Sequence, residues 1–110
     1  MNPEDFVVVL VTTASVDEAV RIGRALVEVR LAACANVIGP IASIYRWQGA
    51  VEEAAEHLLL LKARAGDLPA LEAAVRERHG YQVPEVLALA VRGGSAAYLA
   101  WLAESTARGG

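Results

Sequence analysis

The chain has little sulfur, few aromatic rings and no surplus of positive charge. Its 110 residues include one cysteine, two histidines, 5% aromatics and a formal net charge of −3. A single cysteine excludes an internal disulfide. No charged-then-apolar leader precedes the first strand, so a reducing, cytoplasmic setting is expected. Lys and Arg are scattered within a net-negative chain, which argues against nucleic acid as a partner. No stretch approaches the roughly 18 consecutive apolar residues of a membrane span, so no membrane association is expected. CxxC, HxH and HExxH spacings are absent, as are a nucleophile-base pair and a phosphate-cradling glycine loop; Gly93-Gly94 reads only as a turn. No enzymatic activity is expected.

What is present is apolar surface, 55% of the residues. In one small domain, spanning residues 1–110, such an excess suggests burial against other copies of the chain. Phe6 to Thr13 (FVVVLVTT) reads as a central strand covered on both faces. Ser15 and Glu18 match a capping box. Val16, Ala19, Val20, Gly23, Leu26 and Val27 then recur at helical spacing to about Arg30. A second strand runs from near Leu31 to Trp47, with Gly39-Pro40 marking a bulge or an edge position. Gln48-Gly49 turns the chain into a third strand ending at Ala63. Asp67 caps a second helix with Pro69 in its first turn, which stops around His79-Gly80. Val86 to Val91 is a fourth strand, and Ser95 caps a last helix in which Tyr98 and Trp101 read as packing residues. Residues 1–5 and 105–110 read as flexible ends.

The order is β-α-β-β-α-β plus a C-terminal helix, an α+β sandwich of the ferredoxin-like type. Right-handed crossovers put the first and third strands in the centre and leave the long second strand on an edge. An apolar edge invites pairing with another chain, and a closed ring such as a trimer would seal it.

Few polar residues in this pattern invite a chemical reading. His79 follows a helix on a loop, where an imidazole can meet a metal or merely close the helix. Cys34, within LAACAN, reads as a small buried hydrophobe, with metal ligation or redox chemistry as the alternative. His57 is expected to face solvent or pack on a ring. Glu56 and Lys62 share one face of the third strand but sit roughly 20 Å apart at strand rise, so each needs a partner elsewhere. Tyr45 and Trp47 share a face of the hairpin tip and suit an interface, or else a ligand platform.

Several separated blocks, VLVTT at Val9 to Thr13, RLAACANV at Arg30 to Val37, SIYRWQGAVEE at Ser43 to Glu53, Glu56 with Lys62, HGYQVPE at His79 to Glu85 and YLAWL at Tyr98 to Leu102, follow one family's order. The chain resembles the CutA divalent-cation tolerance family. The resemblance implies a PII-like homotrimer, cytoplasmic in bacteria, linked to copper and other divalent cations. It also implies an intersubunit cleft gathering Tyr45, Trp47, Glu56, Lys62, Tyr81 and Glu85 with His79. The family's usual HPY triplet is HGY here, and Val11 stands where some members place a cysteine proposed to bind copper. Weak Cu(2+) binding would then fall to His79, with Cys34 as a second ligand. A PII-like signalling or scaffold trimer, taking a small anionic ligand or partner peptide through Lys62, Trp47 and Tyr81, is the alternative. A trimer whose polar residues only set assembly register is a third reading.

Overall fold

A computed structural model describes residues 2–108. Valine and leucine dominate Phe6–Thr13, which forms β1; the rest follow as α1 (Val16–Glu28), β2 (Cys34–Trp47), β3 (Ala50–Arg64), α2 (Leu68–Arg78), β4 (Leu87–Ala90) and α3 (Ala96–Ser105). The sheet order is β2-β3-β1-β4, with every neighbouring pair antiparallel. This is the ferredoxin-like α+β arrangement expected from the periodicity, with β1 and β3 central and β2 on an edge.

Strand alternation divides the sheet into two unlike faces. Val7, Val9 and Val11 of β1 and Leu59, Leu61 and Ala63 of β3 pack under Ala19, Ile22 and Leu26 of α1 and Leu71 and Val75 of α2. The opposite face carries Val8, Leu10 and Thr12 with Glu56, Leu58, Leu60 and Lys62. A smaller cluster of Phe6, Ala33, Leu99 and Leu102 ties α3 to the start of β1. Beyond these clusters β2 and β3 run on as a hairpin, which helps stretch the molecule to 44 × 25 × 22 Å. Its Gln48-Gly49 turn has φ of 49° and 84°, the doubly positive pattern of a two-residue hairpin turn that glycine relieves. Ile44 and Val51 near the tip are 67% and 62% exposed, and Leu87 on the other edge strand is 56% exposed, so much apolar surface has no cover within one chain.

Several boundaries differ from expectation for local reasons. Arg30 adopts φ 64°, and the N–H groups of Leu31 and Ala32 both turn back to the Leu26 carbonyl, so β2 begins only at Cys34. Ser15 Oγ caps α1 by accepting the Glu18 N–H at 3.1 Å, but the Glu18 carboxylate reaches back to Ala14. Asp67 makes no side-chain cap for α2; its carboxylate takes the Arg108 guanidinium at 2.7 Å. The fraying expected from Ser105 does not extend to Thr106, which is 2% exposed and accepts the Arg64 Nε–H at 2.8 Å. Near the other end Pro3–Asp5 forms a short helical turn capped by Asn2. Met1, Gly109 and Gly110 lie outside the described residues. Tyr98 and Trp101 are 43% and 42% exposed, with ring centroids 5.4 Å apart.

Candidate functional site

The segment after α2 turns back across the end of β1, and His79 locks it there. The His79 ring Nε2 lies 2.7 Å from the Thr12 carbonyl, and Nδ1 lies 3.0 Å from the Tyr81 backbone N. Since that N–H can only donate, Nδ1 accepts and Nε2 carries the proton donated to Thr12. The side chain is fully covered. Both ring nitrogens being committed, His79 acts as a clamp here and would join a metal only by surrendering one of these bonds. Glu18 completes the clamp, accepting from Gly80 N at 2.8 Å and Ala14 N at 3.1 Å. Burial alone would raise its carboxyl pKa; those two N–H donors, aided by the charge of Arg21, outweigh it and hold the pKa below the ordinary value.

The clamp places Tyr81 over the sheet. Its ring lies 4.7 Å from that of His79, and its hydroxyl donates to Glu56 Oε2 at 2.7 Å. Burial, then the hydrogen bond to the Glu56 carboxylate, push the tyrosine pKa well above its usual value. Glu56 is itself only 7% exposed. Around this pair opens a cleft of about 710 Å³ walled by Tyr45, Trp47 and Glu52 of the hairpin, by Glu56 and Thr12 of the sheet, and by Tyr81 and Glu85 of the loop after α2. Strand register builds the hairpin wall, since Tyr45 stands directly across from Glu52.

Five of the six expected cleft residues are therefore together in one chain, and Lys62 is not among them. Lys62 stands opposite Cys34 in the ladder, donates its ammonium to Asn36 Oδ1 and approaches Cys34 Sγ at 3.8 Å. Cys34 and His79 are not brought together either. Cys34 is level with Val8 through Lys62 while His79 is held at Thr12, roughly 13 Å further along at strand rise. Among the described residues no group of three or more His, Cys, Asp or Glu side chains is arranged to hold a metal ion. The residues of one chain thus do not fit a copper centre. His57 departs from expectation too: its Nδ1 is buried without a partner, and its ring lies so close to Gly39 that a Cβ there would come within 2.6 Å. Glu52 and Thr12 were missed as cleft residues. Glu52 had a legible signal, since it shares the strand face of Glu56 four residues on, whereas Thr12 had none beyond ending β1.

Comparison with known proteins adds a family to this geometry. The profile described as "CutA1 divalent ion tolerance protein" matches residues 7–105. The chain is 48% identical over 99 residues to the Divalent-cation tolerance protein CutA of Thermus thermophilus, covering 90% of this chain and 96% of that one. It is 46% identical to human Protein CutA over 87% of this chain but spans only 54% of the human protein. Among solved structures, that of the Thermus thermophilus protein superposes with a TM-score of 0.90 at 47% identity, covering 93% of this chain and 99% of that one. The CutA1 structure from Oryza sativa does so with 0.90 at 40% identity, covering 94% and 95%. A relative from Arabidopsis thaliana is named as chloroplastic and a structure from Archaeoglobus fulgidus as periplasmic, so the family is not confined to one compartment. No helix among the described residues is long and apolar enough to cross a membrane. The chain belongs to the CutA1 divalent ion tolerance protein family.

Proposed function

We propose that the chain is one subunit of a cytoplasmic homotrimer that serves divalent-cation tolerance as a binding and signalling protein, with the cleft alongside the hairpin as its working site and no catalytic role. The observation that carries this reading is that Tyr45, Trp47, Glu56, Tyr81 and Glu85 line one cleft, beside a loop pinned through both ring nitrogens of His79. Assembly is supported by the edge position of β2 and by the bare apolar residues near the hairpin tip, which a neighbouring copy would cover in a closed ring. A reducing compartment is supported by the lone cysteine, half-buried beside an ammonium group.

A second reading, direct weak binding of copper or another divalent cation, draws on the relatives' names and would need ligands from more than one subunit. Native mass spectrometry of metal-stripped protein titrated with copper(II), run on wild type, Cys34→Ala and His79→Ala, separates the two. The cleft reading expects a trimer whose spectrum ignores copper. Stoichiometric copper lost in either variant would establish the direct reading instead, and a monomer would remove the assembly on which both depend.

A further inference from the structure

We propose that residues 79–86, between α2 and β4, form a strap that opens as one unit while the helices and sheet stay folded, and that this opening is the gate of the cleft. The inference rests on the cleft being the working site, and it concerns the wall that the chain supplies from its own loop. Gly80, Tyr81, Gln82, Val83 and Glu85 make up that wall. The facing wall belongs to the hairpin, which assembly with a neighbouring copy would fix in place.

The strap is fastened unlike the rest of the fold. Among the described residues, none of the backbone–backbone hydrogen bonds that tie loops and turns involves residues 79–86. Its hydrogen bonds run through side chains: His79 Nε2 to the Thr12 carbonyl at 2.7 Å, the Gly80 N–H to Glu18 Oε2 at 2.8 Å, the Tyr81 N–H to His79 Nδ1 at 3.0 Å and the Tyr81 hydroxyl to Glu56 Oε2 at 2.7 Å. These bonds interlock. One imidazole serves both Thr12 and Tyr81, so a ring that swings off Thr12 also drops the Tyr81 N–H, and Gly80 between them loses its place against Glu18. Past Tyr81 the span is loosely held: Val83 is 69% exposed, and Val86 returns to the core just before β4. Segments with few bonds and exposed backbone lie at the low end of the range of opening free energies within one protein. A helix or a strand must break a ladder to open, whereas the strap has three consecutive residues to release. Its opening withdraws the Tyr81 hydroxyl from Glu56 and brings the His79 ring, fully covered when closed, out to solvent.

The test is amide hydrogen exchange followed by NMR on the assembled protein in low urea, for wild type, Glu18→Gln and Tyr81→Phe, which weaken the strap at different ends. His79 is probed in parallel with diethylpyrocarbonate and peptide mass spectrometry. Corrected for intrinsic rates, the wild-type Gly80 and Tyr81 amides should exchange at least about a hundredfold faster than those of the fully buried Val9 and Val11 in β1, with little dependence on urea because the opening exposes little surface. Either variant should quicken both amides together by about tenfold, and His79 carbethoxylation by the same factor, since each weakens a hydrogen bond to a carboxylate. If one variant fails to assemble, the other carries the comparison. Gly80 and Tyr81 amides that share the rate and urea dependence of β1 would mean that the segment opens only on unfolding or is pinned by a neighbouring copy, and would overturn the inference. A variant that quickens only the amide beside its own lost bond would show independent fraying and overturn it too. So would a His79 that stays unreactive while both amides exchange, since nothing would then be uncovered. None of these readouts involves a ligand, so the strap can fail while the reading of the cleft stands.

Discussion

Removing one oxygen atom from Tyr81 tests how the cleft is held together. In Tyr81→Phe the ring and its contact with His79 remain, so no cavity opens, but Glu56 loses its only donor among the described residues while staying 7% exposed. Hydrogen bonds to charged groups contribute about 1.5–3 kcal/mol, and a buried acceptor left unsatisfied costs its desolvation outright. We expect a loss of about 2 kcal/mol, measured by urea denaturation at one fixed protein concentration because assembly couples to stability. In a Glu56→Gln background the same change should cost about 1 kcal/mol, the amount of a neutral hydrogen bond. A wild-type cost below about 0.5 kcal/mol, or equal costs in the two backgrounds, would refute the charged pair. The pH dependence has a definite sign. The Tyr81 pKa is raised in the folded state by burial and by Glu56, so its contribution to stability is complete below the ordinary tyrosine pKa of about 10 and is lost as pH rises through the elevated value. The tyrosinate absorbance lost between wild type and Tyr81→Phe should accordingly appear only above the ordinary range.

Three further substitutions probe the frame around the cleft. Because the Glu18 carboxyl pKa is lowered on folding, it adds stability that is present above the ordinary carboxylate value and disappears as pH falls through the folded one; the stability gap between wild type and Glu18→Gln should therefore close on acidification, and a gap unchanged at about pH 3 would contradict the clamp. Gly23→Ala should destabilise by about 1 kcal/mol despite its gain in helix propensity, since a Cβ there would meet Ala35 Cβ at 2.9 Å and Leu59 Cδ1 at 3.1 Å; a raised urea midpoint would show that α1 can lift without cost. Arg64→Met removes hydrogen bonds to Thr106 Oγ1 and the Ala103 carbonyl at 2.8 and 2.7 Å, and amide exchange in the last turn of α3 should accelerate roughly thirtyfold, about 2 kcal/mol, with β1 unaffected if the effect is local.

The fold was readable because its signals are local. The β-branched run of β1, the Ser15 and Ser95 caps, the turn at Gln48-Gly49 and the proline in β2 each constrain a few neighbouring residues, and together they specify element order and hence an edge for β2. The cleft was partly readable for the same reason, since Tyr45 and Trp47 alternate on one strand face and Glu56 interrupts an apolar one. Lys62 was harder to place. Its distance from Glu56 followed from strand rise, but its partner did not, because the register that puts it beside Asn36 and Cys34 depends on pairing across the sheet. His79 was placed correctly after α2, yet nothing along the chain indicated that Thr12, sixty-seven residues earlier, would claim its Nε2. Asp67 had the right position for a helix cap and was drawn away by Arg108, a residue brought near only by folding.

Composition and periodicity alone determined the element order, the two-faced sheet, the exposed hairpin and the lack of any local metal or catalytic motif, because each depends on residues within a turn or a strand of one another. Tertiary structure decided which polar groups remain free. It gave partners to both ring nitrogens of His79, set Lys62 against Asn36 and Cys34, and lined the cleft of one chain with Tyr45, Trp47, Glu56, Tyr81 and Glu85. Hydrogen-bond partners are chosen by distances across the folded sheet, and those distances exist only once chain segments dozens of residues apart have met.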